Sequence, residues 1–377
     1  MPRHYLDHAS TSPARPEAVA AMVEWLSGGS AADPGRVHTE GRMARAALED
    51  ARERVAALVN ARPREVVFTS GATEAINAAV FGATAARGER VVAGAVEHSA
   101  VLEPARRHEL VRVGVDGTGR VDLDQLDAAV TPATALVCVQ WGNHEVATLQ
   151  PIEAAAALCH DRGVLLLVDA AQAVGHAVVD FGASGADLMA VSSHKLGGPK
   201  GAGALLVRRG LRLPAFILGG DQERARRGGI ENVPALVGFG AAASAVGAVL
   251  ADEIERAAAQ TERVRAAAST LRGVAPLGDP DPAGRLPHIA CLVVAGVEAE
   301  AVLLGLDQAG IAAHSGSACS SESLEPSPVL EAMGVEAERS LRVSVGWSTT
   351  DADIEAFSEA LPRVVDRLRG LAAQSPQ

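Results

Sequence analysis

The stretch Val-Leu-Leu-Leu-Val-Asp-Ala-Ala-Gln, residues 164–172, decides the fold class of this chain. Its first five residues are all apolar, as expected of a central strand that is buried on both faces of a parallel sheet. A second apolar run, residues 188–191, leads directly into Ser-Ser-His-Lys at residues 192–195. Because ligands of open α/β sheets bind beyond the carboxyl ends of the strands, both polar segments are predicted to face a ligand.

Strand and helix patterns alternate on either side of this stretch, which predicts an α/β fold with a mostly parallel central sheet and helices on both faces. Further strands are predicted at residues 66–68, 90–93 and 135–139, and amphipathic helices at 75–86, 100–108 and 153–162.

A long helical stretch at residues 235–271 separates this pattern from a different one. We expect a large domain at residues 13–255, and a smaller α+β domain formed by residues 256–377 with the N-terminal arm, 1–12. The smaller domain is predicted to contain strands at 288–295 and 340–345 and helices at 299–309 and 351–371.

The bulk composition excludes several kinds of protein. The 377 residues carry a formal net charge of −12, which argues against a nucleic-acid groove as the main function. The four cysteines form no CxxC pair and have no histidine at metal-ligand spacing, so we expect no metal site and a reducing cytoplasm.

The N-terminus has no apolar stretch of signal-peptide length. The longest weakly apolar run, residues 237–251, is expected to be too short to span a bilayer and to form a packed helix.

Asp169 and Lys195 are the first candidate site residues. A carboxylate beyond a buried strand can pair with a cationic ring nitrogen, but an Asp there is about as often a helix N-cap. A lysine desolvated at such a position becomes nucleophilic enough to form a Schiff base. The alternative for Lys195 is a surface turn, and the complementary chemistry of Asp169 weakens that alternative.

Two further motifs follow predicted strands. In Thr-Ser-Gly-Ala-Thr-Glu-Ala, residues 69–75, Gly71, Ala72 and Thr73 can present backbone N–H groups and a hydroxyl to a phosphate at a helix N-terminus. The alternative is a capping box without a ligand. His98 can stack on a flat ring or move protons, although a lone histidine is more often structural.

Cys319 differs from the other three cysteines in its surroundings. It lies among small and polar residues, Ser-Gly-Ser-Ala-Cys-Ser-Ser-Glu-Ser-Leu-Glu-Pro-Ser at 315–327, which predicts an exposed loop suited to an attacking thiol. Cys138, Cys159 and Cys291 lie in predicted strands or on a helix, so we expect them to be buried small hydrophobes.

Taken together, these motifs resemble those of cysteine desulfurases in the class V, fold-type-I family of enzymes that depend on pyridoxal 5′-phosphate (PLP). The matching segments are Tyr-Leu-Asp-His-Ala-Ser-Thr (5–11), Ser-Gly-Ala-Thr-Glu (70–74), Asp-Ala-Ala-Gln (169–172), Ser-Ser-His-Lys (192–195), Ser-Gly-Ser-Ala-Cys (315–319) and Ser-Leu-Arg-Val-Ser-Val-Gly (340–346). The resemblance covers nearly the whole chain, and the cysteine segment is similar to the subgroup with a long catalytic loop.

The resemblance implies a role for each site residue. Lys195 would carry PLP, Asp169 would pair with the ring nitrogen, Gln172 with the ring hydroxyl, and His98 would stack on the ring. The ligands at the phosphate would be Gly71, Ala72, Thr73, Ser192 and His194. His144 would lie near the ring and the substrate, and Arg342 would bind the substrate carboxylate.

The resemblance also implies a reaction and its partners. Lys195 would remove the α-proton of L-cysteine, and the Cys319 thiolate would take the sulfur as a persulfide and release L-alanine. A cytoplasmic homodimer is implied, in which the segment around Gly229 reaches the partner's site. The sulfur acceptor stays open between an iron–sulfur scaffold, a nucleic-acid thiolation relay and a biosynthetic carrier.

Three positions depart from the family pattern. His144 stands where the family has Asn, Ile230 where it has a hydroxyl residue at the partner's phosphate, and Asp33 begins a segment that is otherwise Asn-Pro-Ser-Ser. We expect Gly228 or Gly229 N–H groups, or Arg226 or Arg227, to replace the missing donor. The alternatives to a desulfurase are a related PLP enzyme, such as a β-lyase or an enzyme of specialised biosynthesis, and a non-catalytic binding platform.

Overall fold

A mostly parallel sheet lies at the centre of the computed structural model, which describes residues 3–28, 32–316, 327–336 and 339–372. Seven strands hydrogen-bond in the order β2-β8-β7-β6-β5-β3-β4, and only β8 runs antiparallel to its neighbours. These strands are β2 (Val66–Thr69), β3 (Arg90–Gly94), β4 (Glu109–Val113), β5 (Thr134–Gln140), β6 (Leu165–Asp169), β7 (Leu188–Ser192) and β8 (Gly203–Val207).

Helices cover both faces of this sheet. They are α1 (Pro16–Ser27), α2 (Thr39–Leu58), α3 (Ala72–Arg87), α4 (Ser99–Ala105), α5 (Leu123–Ala129), α6 (Ile152–Asp161), α7 (Phe181–Ser184), α8 (Gln222–Ala225) and α9 (Val233–Ser269). Alternate strand residues enter two different apolar cores, as the two-residue period of a strand requires. Leu166 and Val168 pack with α2, α6 and α9, whereas Leu165 and Leu167 pack with α3 and α4. This architecture confirms the predicted fold class.

A second group of elements has its own sheets and its own core. A three-stranded antiparallel sheet has the order β12-β10-β9, and the N-terminal strand β1 pairs in parallel with β11. The elements of this group are β1 (His4–Tyr5), β9 (Val274–Pro276), β10 (Ile289–Val294), α10 (Ala299–Gln308), β11 (Ile311–Ala312), α11 (Pro328–Ala332), β12 (Ser340–Ser344) and α12 (Asp351–Ala372).

Helix α9 belongs to both cores. Its residues up to Val246 pack under the large sheet, and those from Ala257 onwards join the second core together with Leu6 and Phe357. The helix passes through residue 255 without a break, so the domain boundary predicted there stays a prediction.

The same helix corrects one expectation. The run 237–251 was expected to be too short to cross a bilayer, but it forms part of a 37-residue helix that is long and apolar enough by length and composition alone. Of its most apolar window 56% is buried inside the protein, and it packs against α1 and α2. The expected packed helix is therefore observed, and only the argument from length was wrong.

Most predicted elements are found within a few residues of their expected bounds. The helix predicted at 100–108 is shorter, because α4 ends at Ala105 and residues 106–107 form a turn before β4. Strands β1, β4, β8, β9 and β11 were not predicted.

Candidate active site

A cavity of about 660 Å³ opens at the carboxyl ends of β2, β5, β6 and β7. The described residues with a predicted site role all line it: Gly71, Ala72, Thr73, His98, His144, Asp169, Gln172, Ser192, His194, Lys195 and Arg342. Cys319 lies outside the described residues. The structure therefore brings these side chains together at the edge of the sheet that was expected for a ligand.

Lys195 lies on a short 3₁₀ helix, Ser193–Leu196, that begins directly after β7. Its Nζ donates hydrogen bonds to the carbonyl oxygens of Ala9, at 2.5 Å, and Ser10, at 3.0 Å. Burial, assisted by the nearby Arg342 cation, lowers the pKa of this amine to about 8. About a tenth of the amine is therefore uncharged at pH 7 and about half at pH 8, far more than in an ordinary lysine. The uncharged form is the one that a nucleophile or proton acceptor requires.

Asp169 ends β6, and its Oδ1 accepts the backbone N–H of Ala171 at 3.0 Å. Burial raises the pKa of this carboxyl, and the Ala171 N–H, His144 and Lys195 oppose that rise. The two interpretations of Asp169 are thus compatible, because the carboxylate stabilises its own turn and also lines the cavity. A buried carboxylate in this position is suited to a cationic partner.

The N-terminus of α3 points a set of backbone donors at the cavity. Its N-cap is Gly71, which has no side chain to cap the helix, so the capping-box alternative does not hold. Glu74 instead accepts the N–H of Ser70, outside the helix, at 2.9 Å and pairs with Arg227. Gly71, Ala72 and Thr73 line the cavity at this uncapped end, which is the geometry of an anion site.

Ser192 ends β7, and His194 lies in the 3₁₀ helix that follows it, and both line the cavity. The Nδ1 of His194 is 3.1 Å from Thr11 Oγ1. Burial, with Lys195 nearby, lowers the pKa of His194 to about 4, so the ring is neutral at pH 7 and can donate one hydrogen bond.

His98 and His144 meet edge to face, with ring centroids 5.2 Å apart. His98 Nδ1 accepts the backbone N–H of Ala100 at 3.0 Å, so this residue caps α4 as well as lining the cavity. Burial lowers the pKa of His98 to about 3. His144 Nε2 lies 3.5 Å from a carboxylate oxygen of Glu145.

Arg342, in the middle of β12, is held by three oxygen atoms. Its Nη1 donates to the carbonyl oxygen of His144 at 2.8 Å, and its Nη2 donates to Ser10 Oγ at 2.8 Å and to Asp7 at 3.1 Å. The side chain is 3% exposed, and its Nε has no partner among the described residues. A fixed guanidinium fork at the cavity wall is suited to a carboxylate.

Residues of the N-terminal arm were missed by sequence reasoning. Ala9, Ser10 and Thr11 line the cavity, and two of them bind Lys195 Nζ through backbone oxygens that no sequence pattern identifies. The motif at 5–11 was the only available signal. Gln140 and His314 also line the cavity without having been predicted.

The segment expected to compensate for Ile230 does not line the cavity of its own chain. Ile230 is 63% exposed. The N–H of Gly228 donates to Ile217 O at 2.8 Å and that of Gly229 to Gln222 Oε1 at 3.1 Å, and Arg227 pairs with Glu74. Replacement of the missing donor by this segment therefore stays a prediction about a partner's site.

These residues fit PLP. A desolvated lysine, a buried carboxylate and an uncapped helix N-terminus converge on one cavity, as an aldehyde, a ring nitrogen and a phosphate require.

Residues 4–357 match the family model of the class-V aminotransferases. The chain belongs to this family. Its members are PLP-dependent, so the cofactor of this family is the one that the cavity fits.

Family relatives extend over the whole chain. The chain is 38% identical to Cysteine desulfurase IscS 1 of Archaeoglobus fulgidus, with 98% of each chain covered. Among solved structures, a NifS-like protein superposes with a TM-score of 0.90 at 27% identity, covering 97% of this chain and 100% of that one. A structure titled SspA in complex with cysteine superposes with a TM-score of 0.80 at 29% identity, covering 91% and 98%.

Proposed function

We propose that this chain is a cysteine desulfurase, which converts L-cysteine to L-alanine and passes the sulfur, as a persulfide on Cys319, to an acceptor. The observation that carries the proposal is the half-buried Lys195 in a cavity that also holds Asp169 and an uncapped helix end. The full-length relative named a cysteine desulfurase and the neighbour titled as a cysteine complex support the substrate.

The cavity residues would hold PLP in three groups. Lys195 would bind it covalently, Asp169 and Gln172 would contact the ring, and Gly71 to Thr73 with Ser192 and His194 would bind the phosphate. When bound, PLP supplies an electron sink for the pair that remains when a bond to the substrate α-carbon breaks.

Lys195 moves the proton. Once the substrate amine has taken its place, Nζ is a free amine, and its lowered pKa of about 8 leaves a larger share of it uncharged near neutral pH than in an ordinary lysine, so that it can accept the α-proton. The carbonyl oxygens of Ala9 and Ser10 then stabilise the ammonium that forms, since each already accepts a hydrogen bond from Nζ.

Arg342 binds and orients the substrate. Its guanidinium is fixed by Ser10, Asp7 and the His144 carbonyl, so little side-chain entropy is lost when a carboxylate binds. A fixed cation at this wall selects an α-amino acid over an amine.

Cys319 takes the sulfur. Its thiolate forms an S–S bond to the substrate sulfur as the Cβ–S bond breaks and leaves its electron pair on carbon. Cβ then gains a proton, and Cα regains the one that Lys195 removed, so that alanine leaves. Cys138, Cys159 and Cys291 are buried, and burial raises the pKa of each of their thiols, so they are unsuited to this attack.

The proposal includes a cytoplasmic homodimer that delivers sulfur to an acceptor protein in iron–sulfur cluster assembly. Exposed apolar side chains at Leu218 and Ile230, 81% and 63% exposed, support a partner surface on the segment that departs from the family pattern. The relative's name supports the pathway. Light scattering tests the dimer, and sulfur transfer to candidate acceptors tests the pathway.

The test of the activity is a comparison of three proteins. Purified protein is incubated with L-cysteine and a reductant, and alanine and sulfide are measured for the wild type, Cys319→Ser and Lys195→Ala. Only the wild type should produce both at a substantial rate. Equal rates in Cys319→Ser would contradict the proposal in favour of a related PLP enzyme, and sulfide released with pyruvate in place of alanine would identify a β-lyase.

A further inference from the structure

A half-buried histidine, His176, stacks on a buried one, His288, behind the cavity. His176 lies after β6 and His288 directly before β10, 112 positions away in the chain. Their ring centroids are 3.7 Å apart and their planes differ by 12°. The stack therefore joins the large sheet to the second group of elements.

Backbone carbonyl groups fix the hydrogen positions of this pair. Ala9 O can only accept, so Gln172 donates to it through Nε2, at 2.7 Å. Gln172 Oε1 then faces His288 Nε2 at 3.4 Å, and since an amide oxygen only accepts, His288 must carry its proton on Nε2. By the same argument His176 carries its proton on Nε2, which donates to the Lys195 carbonyl at 3.0 Å.

These contacts hold Lys195 at both ends. Its carbonyl oxygen accepts from His176, and its Nζ shares the Ala9 oxygen with Gln172, which is held in turn by His288. We propose that His176 and His288 are positioning residues, which keep an amide N–H of Gln172 on the cavity side and fix the backbone of Lys195. This inference rests on the proposed function.

The charge state of the pair supports this role. Burial lowers the pKa of His176 to about 4 and that of His288 well below its usual value. The charged or titratable groups around them are His8, Arg15, Lys195 and Arg342, and each further disfavours a cation. Both rings are therefore neutral at pH 7, as a face-to-face stack at this distance requires.

The test uses His288→Phe, which keeps a stacking ring and removes the N–H donor. The protein is loaded with PLP, and the absorbance of the lysine-bound chromophore is titrated against pH. The Gln172 N–H stabilises negative charge on the PLP ring oxygen, and it does so most when the nitrogen that joins Lys195 to PLP has lost its proton. This N–H therefore lowers the titration midpoint. Its loss should raise the titration midpoint by about half to one pH unit, a three- to tenfold change in proton affinity.

A double-mutant cycle separates positioning from general stability. In a Gln172→Ala background, His288→Phe should produce no further shift, because its effect passes through Gln172. His108→Phe is the matched control, since His108 contacts Glu89 and Thr84 away from the cavity, and its midpoint should equal that of the wild type. Thermal unfolding of each variant records stability separately.

Several outcomes overturn the inference. An unchanged midpoint in His288→Phe, or an equal shift in the Gln172→Ala background, assigns the pair to packing alone. If His288→Phe does not fold, His288→Leu, which removes the same donor to Gln172, should raise the midpoint instead, and failure of both to fold also contradicts the inference. A wild type without any chromophore refutes the proposed function itself, which distinguishes the two failures.

Discussion

The environment of Lys195 differs strongly from that of an ordinary surface lysine. Water is replaced around its amine by two carbonyl oxygens, and the Arg342 cation is nearby. Burial and the Arg342 cation favour the neutral form of the amine, because the carbonyl oxygens carry no full negative charge that would stabilise the ammonium. The carboxylates of Asp169 and Asp7 oppose this lowering of the pKa only in part.

This environment predicts the pH dependence of cofactor attachment. The pKa of Lys195 is about 8 instead of the usual 10.5, so the uncharged fraction rises through pH 8. The rate at which cofactor-free protein forms the PLP chromophore should increase from pH 6.5 to 8.5 and level off above about 9. A stopped-flow absorbance series measures it, and a rate that still rises steeply above pH 10 would show an unshifted lysine.

Among single residues, those that directly follow a predicted strand could be inferred from the sequence. Residues that only the folded chain brings to the cavity could not. Asp169 and Lys195 follow two apolar runs, so their place at the sheet edge could be inferred. Ala9 acts through a backbone oxygen, and His288 is more than a hundred positions from its stacking partner, so neither has a local signature.

At the scale of elements, the N-terminus of α3 depends on the close approach of two glycines. A Cβ on Gly203, in β8, would lie 2.5 Å from the Cα of Gly71 and 2.7 Å from the carbonyl oxygen of Val191. Backbone atoms cannot yield as a flexible side chain can, so β8 must carry glycine here to let α3 begin at the cavity.

Gly203→Ala should therefore displace the start of α3 and weaken PLP binding by about tenfold or more, which corresponds to about 1.4 kcal/mol. The affinity is measured by titrating cofactor-free protein with PLP. Gly117→Ala is the control, because a Cβ at Gly117 meets no atom within 4 Å, and it should bind PLP like the wild type. Equal affinities for the two variants would contradict this account of the helix end.

A buried ion pair between Arg52 and Glu223 connects the turn at α8 to α2 and β2. Arg52, in α2, binds both carboxylate oxygens of Glu223 at 2.6 and 2.7 Å and the Val66 carbonyl at 3.0 Å, while Glu223 accepts the N–H of Phe68. Glu223 has a φ of 48°, which few residues other than glycine adopt, so the pair holds an unfavourable backbone in place.

Arg52→Met should destabilise the fold by about 3–5 kcal/mol, because it leaves the Glu223 carboxylate buried without its cation. Urea unfolding followed by circular dichroism measures the loss. Arg54→Met removes an exposed pair with Asp50 and should change the free energy of unfolding little. Similar losses of unfolding free energy in both variants would show that the buried pair contributes no more to stability than the exposed one.

Some strands were missed because glycine interrupts the pattern or because the strands are very short. The run Gly-Gly-Pro-Lys-Gly-Ala-Gly, residues 197–203, indicated a turn and hid β8, whose antiparallel pairing with β2 and β7 joins them at one end of the sheet. The two-residue strands β1 and β11 exist only because they pair with each other.

At the scale of the whole molecule, buried neutral histidines link stability to pH. Burial lowers the pKa values of His8 and His98 to about 3 and that of His176 to about 4, from the usual 6.5. The unfolded chain therefore binds more protons than the folded one between pH 6.5 and about 4. Each such group removes up to about 1.4 kcal/mol of stability per pH unit as the pH falls through that window.

Burial also raises the pKa of Glu97 to about 8, so between about pH 4.5 and 8 this carboxyl opposes one of the histidines. Because three histidines outweigh one carboxyl, the urea midpoint should still fall from pH 6.5 to 5. Replacing His8 with Gln, which keeps a polar group beside Ser12 and Thr349, should reduce the slope of this fall. A midpoint that is independent of pH over this range would show that these rings are charged, or exposed, in the folded protein.

One measurement tests most directly that Lys195 and Cys319 act together on L-cysteine. The PLP-loaded protein is mixed with one equivalent of L-cysteine without reductant, and the alanine formed and the mass of the Cys319 peptide are determined together. The account predicts equal amounts of alanine and of a peptide heavier by one sulfur atom, which dithiothreitol removes. Alanine formed with an unmodified Cys319 peptide, or no alanine from a protein that carries PLP on Lys195, would contradict it.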